Sequence, residues 1–175
     1  MNKHIPSVVL VALLCVGLSA GPAFSAAPTT KKITFSSKYT GKASLLINNG
    51  QATISSVTGL GKNSLFGASK VNGSGSAEAS QQCDPFGGKG SIAGGASKIM
   101  FTVTRSSSQQ GCANSESGPV TVTFRGVAVA TGGVGAASGA SGSLKFKGTL
   151  KLGGTSGSQD GSFTVALSGT LTVKA

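Results

Sequence analysis

The sequence predicts an all-β protein, a closed antiparallel β-barrel of about eight strands, with a two-sheet β-sandwich as the alternative. Three observations predict it. Apolar residues recur at every second position through most of the chain, the period at which strand side chains return to one face. Beyond residue 25 no apolar stripe recurs at three and four residues, so helix signals are missing. Clusters of Gly, Asn, Ser and Asp interrupt the alternation where turns are needed, and 28 of the 175 residues are glycine.

Residues 1–25 are read as a signal peptide that is removed. Met1-Asn-Lys-His carries a positive charge, and an apolar run extends from Ile5 to Ala20. Ala23-Phe24-Ser25-Ala26-Ala27 then supplies a small-residue cleavage site after Ser25. The run is shorter than the ~20 residues of a spanning helix. Cys15 follows Leu13-Leu14 rather than a small residue, which argues against lipid attachment. Residues 26–175 are then a single domain, secreted or extracytoplasmic, with no further apolar span.

The first strand of that domain places Ile33, Phe35, Tyr39, Ala43, Leu45 and Ile47 on one face, with Gly41 as a bend. Thr34, Ser36, Lys38, Thr40, Lys42 and Ser44 lie on the other face. Asn48-Asn49-Gly50 predicts a tight hairpin turn. A second strand follows through Ala52, Ile54 and Val57, until Gly59-Leu60-Gly61 breaks it. From Leu65 to Cys83 the alternation continues with tiny side chains, Val71, Gly73, Gly75, Ala77 and Ala79. Such a strand lets a neighbour come close or leaves room in the interior.

Asp84–Gly88 reads as a turn, Ser91–Ala93 as a short strand and Gly94–Ser97 as another turn. Ile99, Phe101, Val103 and Arg105 share the apolar face of the next strand, and residues 106–118 form a polar loop. Val120, Val122 and Phe124 then alternate, whereas Val127 and Val129 fall out of phase, which predicts a register-resetting bulge at Gly126. After a glycine-rich elbow, Leu144, Phe146, Leu150 and Leu152 oppose Lys145, Lys147 and Lys151. Gly153–Gly157 turns the chain into a last strand with Phe163, Val165, Leu167, Leu171 and Val173 inward. One-sided burial implies antiparallel pairing.

Cys83 and Cys112 are expected to form a disulfide, the usual fate of two cysteines in an exported chain. The loop it closes is worth roughly 3–4 kcal/mol in the chain-entropy account.

The residue inventory excludes several chemistries. His4, the only histidine, leaves with the signal peptide, so no Ser-His-Asp or Cys-His unit and no histidine metal ligand is expected. The four carboxylates, Glu78, Asp84, Glu116 and Asp160, form no close sequence pair and no Ca²⁺ loop. No catalytic set, metal or cofactor is implied. The formal net charge of +11 suits anionic partners such as envelope polymers, although the lysines are spread along the chain. Nucleic acid is disfavoured because strand-face aromatic platforms are lacking.

The elbow carries a family resemblance. Thr131-Gly-Gly-Val-Gly-Ala-Ala-Ser-Gly-Ala-Ser-Gly142 resembles the G-G-T-G-x-F-x-x-A-x-G stretch of allene oxide cyclase and dirigent barrels. It is also similar to a group of uncharacterised exported bacterial proteins with that pattern. Gly132, Gly133, Gly135, Ala140 and Gly142 match, while Val134 stands for the usual Thr and Ala137 for the usual Phe. The resemblance implies that the segment joins two antiparallel strands of a closed eight-stranded barrel. It carries no catalytic residue onto this chain.

Function is therefore sought in the barrel interior. The leading expectation is non-enzymatic binding of a small apolar ligand, with Tyr39 and Arg105 as candidate contacts because both lie on otherwise apolar strand faces. One alternative is a cyclase or isomerase that steers a reactive intermediate inside the barrel. The other is a basic structural protein whose lysines (Lys145, Lys147 and Lys151, with Lys38 and Lys42) touch anionic envelope polymers.

Overall fold

A computed structural model describes residues 29–175, so the expected signal peptide lies outside the described residues. The elements are β1 (Thr30–Asn48), β2 (Gln51–Asn63), β3 (Gly67–Glu78), β4 (Cys83–Gly94), β5 (Ser97–Val103), β6 (Gln110–Ala113), β7 (Val120–Val134), β8 (Ser141–Leu152) and β9 (Gly157–Lys174), with a short 3-10 turn at Gly135–Ala137. Their pairing order, β3-β2-β1-β9-β8-β7-β5-β4, is closed by a β3–β4 ladder, and every pairing is antiparallel. The chain is thus a closed eight-stranded antiparallel barrel, and β6 is one extra strand. No helix among the described residues is long and apolar enough to cross a membrane.

Closure follows from the alternation. Phe35, Tyr39, Ala43 and Leu45 on β1 are buried, as are Phe163, Val165, Leu167, Leu171 and Val173 on β9. The two strands pair from Thr30↔Lys174 to Ile47↔Gly157 without a shift. A strand with one oily face hides it only by packing against another such face, and curling the sheet on itself also removes the unpaired edges. The β1–β2 turn forms as expected, with positive φ at Asn49 (50°) and Gly50 (70°), the pair that a two-residue hairpin turn needs.

The inner face follows a rule of complementary size. Phe35 stands directly opposite Gly169, Tyr39 opposite Gly61 and Phe163 opposite Gly41. Phe101 faces Gly90, Phe124 faces Gly148 and Phe146 faces Gly126. A Cβ at Gly61, Gly90, Gly126 or Gly148 would lie within 2.8 Å of the facing ring. Rings lie across the vacant positions and fill a small barrel that could not hold two large side chains abreast.

That rule explains where the strands depart from expectation. Gly59 and Gly61 do not break β2; they face inward, where a Cβ at Gly59 would come 2.7 Å from Phe163 Cζ. Gly126 carries no bulge, and β7 pairs with β8 without a shift from Val120↔Leu152 to Ala130↔Gly142. Ala128 and Ala130 take the inward positions while Val129 is 47% exposed. The register shift lies later, between Phe101↔Ala130 and Met100↔Gly132. Asp84–Gly88 is strand rather than turn, part of a continuous β4.

The slot between β4 and β7 is filled by two pieces. β5 pairs with both strands over one half of the barrel, and β6 pairs with both over the other. Residues 104–109 leave the wall between them. Gln109 bridges the gap: its backbone carbonyl accepts from Phe86 N–H (3.1 Å), and its side-chain Oε1 accepts from Val127 N–H (3.2 Å). The Cys83–Cys112 disulfide, formed as expected, joins β4 to β6 at directly opposed positions. The loop expected over 106–118 therefore contains a short strand. The elbow Thr131–Gly142 passes through the 3-10 turn, with Gly135 at φ 63°, and links the neighbouring strands β7 and β8.

Candidate functional site

The barrel has a packed end and an open end. At the packed end Asn63 is the organiser. Its Oδ1 accepts from the backbone N–H groups of Leu65 (2.8 Å) and Phe66 (2.7 Å), holding the β2–β3 turn. Its Nδ2 donates to Ser69 Oγ (2.8 Å) and to the Tyr39 hydroxyl (3.2 Å). The Tyr39 hydroxyl and Ser69 Oγ share a further hydrogen bond of 2.9 Å. All three residues are buried, so their polar groups are satisfied internally. Ile92, Ile99, Leu171 and Val173 fill the space around them with no exposed surface.

Toward the other end the interior hollows into a cavity of about 780 Å³. It opens among the turns that join β3 to β4, β6 to β7 and β8 to β9, where Ser80, Gln81, Gln82, Asn114, Ser115 and Thr155 form its rim. One wall is aromatic: Phe86, Phe124 and Phe146 meet with ring centroids 5.9–6.4 Å apart in tilted and edge-on contacts. The adjoining wall is nearly bare, because the inward positions of β3 there are Gly73, Gly75 and Ala77, the last directly opposite Phe86. A Cβ built at Gly73 would meet the Lys89 carbonyl oxygen at 3.1 Å, and the nearest side chain is Val57 at 4.0 Å. Leu45, Leu150 and Phe163 complete an apolar lining.

Three of the four carboxylates lie around this mouth: Glu78, Asp84 and Glu116. Asp84 is structural. It is 5% exposed, and its Oδ2 accepts from the backbone N–H groups of Ser80 (2.9 Å) and Gln81 (2.8 Å), pinning the β3–β4 turn over the opening. Rim loops are cross-tied elsewhere too, by Ala79 N–H to the Gly50 carbonyl (2.8 Å) and Thr155 Oγ1 to the Glu116 carbonyl (3.3 Å). Among the described residues no group of three or more His, Cys, Asp or Glu could hold a metal ion.

Neither residue singled out from the sequence lines the cavity. Tyr39 is fully buried beneath the cavity floor, with its hydroxyl spent on Asn63 and Ser69. Arg105 follows the end of β5, where the chain has left the ladder and alternation no longer dictates its side. Its Nη2 donates to Ser76 Oγ (2.8 Å) and its Nη1 lies 3.6 Å from Glu78 Oε1, on the outer side of β3. The structure does not bring the two residues together. Sequence reasoning missed Phe86, hidden in a stretch that looks like a turn. The usable signal was the run of minute inward residues from Gly73 to Ala77.

No protein-family model matches the chain, and no curated protein or solved structure matches it either.

Proposed function

We propose that this protein is an exported, non-enzymatic binding module that takes one small apolar molecule into its barrel through the open end. The observation that carries the reading is the cavity itself. Its volume of about 780 Å³ falls within the range of sites for drug-sized ligands, and it combines an apolar interior with a few polar groups at one mouth. Burying an apolar ligand there is favoured at about 25 cal/mol per Å² removed from water. The rim amides and hydroxyls of Gln81, Gln82, Asn114 and Ser115 would hold a single polar head group at the entrance. The Cys83–Cys112 disulfide agrees with an oxidising, extracytoplasmic setting. Kinship with allene oxide cyclase and dirigent barrels belongs to this proposal and rests on the Gly132–Gly142 residues alone.

Absence of tryptophan from the sequence makes the test direct. Ile54→Trp, on the lining, introduces a sole indole reporter. Titration with a panel of fatty acids, terpenoids and flat aromatic metabolites should blue-shift or quench that emission and raise the melting temperature for at least one class. Val57→Phe, which enters the cavity opposite Gly73 and Ala43, should abolish the response without lowering the melting temperature of the free protein. A panel that moves neither signal would remove the reading.

A further inference from the structure

The outer wall holds an arrangement that the cavity does not use. Register places Lys62 of β2 directly opposite Lys38 of β1. Lys38 faces Ala166 of β9, Ala166 faces Lys147 of β8, and Lys147 faces Arg125 of β7. These positions form one cross-strand row, and its four cations are exposed. Neighbouring strands are about 4.8 Å apart, so Lys38–Lys62 and Lys147–Arg125 are like charges held side by side, an arrangement that disfavours the folded state.

No carboxylate relieves them: among the described residues the ion pair found is Arg105–Glu78, elsewhere on the barrel. Asp160 is the one acid on these five strands, and it accepts a hydrogen bond from Ser44 Oγ at 2.6 Å. Beside the cationic row runs a row of hydroxyls. Thr40, Thr164, Thr149 and Thr123 stand opposite one another across β1, β9, β8 and β7. A second, sparser cationic row follows, in which Lys42 and Lys151 flank Ser162.

We propose that this face docks an acidic polysaccharide, laid along the cationic row with its hydroxyls against the threonines. Alternating rows of cations and hydroxyls match a polymer that carries both carboxylates and hydroxyls along its length. Shape argues against a membrane. The row crosses four of the eight strand-to-strand steps, roughly half a turn, so Lys62 and Arg125 project from nearly opposite sides and a flat surface cannot reach both. A flexible chain can follow the curve. Nucleic acid fits less well, because among the described residues the inner face takes the aromatic rings and no stacking platform is left outside.

The test uses two triple variants with the same loss of charge. Lys38→Gln/Lys62→Gln/Lys147→Gln breaks the row. Lys70→Gln/Lys89→Gln/Lys98→Gln alters exposed lysines on β3, β4 and β5, none opposite another cation. Polygalacturonate binding by the exported protein should be weakened about tenfold in the row variant and less than about twofold in the other, and should fade with added salt. The row variant should melt no lower than the parent, showing that the loss is not misfolding. Equal weakening in both variants would reduce the effect to net charge and overturn the proposal. Tighter, row-dependent binding to phosphatidylglycerol vesicles or to single-stranded DNA than to polygalacturonate would overturn the choice of partner.

Discussion

On β3 the inward residues nearest the packed end are Ser69 and Val71; those nearest the open end are Gly73, Gly75 and Ala77. That short stretch of one strand separates two regimes. At the packed end Ile92, Ile99, Leu171 and Val173 have no exposed surface, and Asn63, Tyr39 and Ser69 satisfy one another, while the buried Ser37 hydroxyl beside them has no partner. At the open end the rings of Phe86, Phe124 and Phe146 adjoin a β3 wall without a large side chain, and only a small satellite cluster of Leu45, Ala52, Val120 and Leu152 packs near the rim. Apart from the break between β5 and β6, strand pairing runs through both halves. The difference teaches that strand pairing supplies the barrel, while side-chain volume alone decides whether its interior is core or cavity.

The largest blow to this division should come from the packed end. Leu171→Ala, at a site with no exposed surface, should cost about 2–5 kcal/mol by denaturant unfolding, since the rigid surroundings cannot collapse into the void. Val57→Ala on the cavity lining should cost less than about 1 kcal/mol, because its methyls already border open space. Next comes the disulfide, which clips the wall at the open end. Cys83→Ser/Cys112→Ser should lose about 3 kcal/mol, and proteolysis should then cut first within residues 104–118.

A matched pair sharpens the contrast. Ala140→Phe, buried against the packed core, should destabilise by about 1–3 kcal/mol through overpacking. Val57→Phe should stay within about 0.5 kcal/mol of the parent, because it faces only Gly73 and Ala43 and enters vacant volume. Tyr39→Phe removes one member of the buried network and should cost about 1–2 kcal/mol in thermal melts while leaving ligand binding intact. Equal penalties for the alanine pair would show that the two ends are not distinct.

Much of the wall was legible in the chain. Period-two alternation located the inward faces of β1, β8 and β9 and the closed antiparallel barrel, because those strands put their large apolar residues inside. It failed at Ala128 and Ala130, where the outward neighbours Val127 and Val129 are the more hydrophobic. There Phe146 and its neighbours already occupy the interior, so only methyl groups fit between the rings. Asp84–Gly88 misled for a related reason. Its turn-forming composition serves close backbone approach, with Gly88 against Gly75 and Asp84 hooked to the preceding β3–β4 turn. The cavity was foreshadowed by Gly73–Ala77. The residues meant to serve it were not, since polarity on an apolar face does not report height along the barrel axis. Height requires register, and register placed Tyr39 below the cavity.

The long β1–β9 ladder has a consequence in time. Of the nine strands described, β1 is made first and β9 last, yet each is the other's neighbour from Thr30↔Lys174 to Ile47↔Gly157. During translation β1 can pair only with β2, leaving a curled sheet with two raw edges until residue 174 is made. Pairing across such a span is slow to nucleate. A polypeptide that cannot seal itself early stays threadable, which suits the export proposed above.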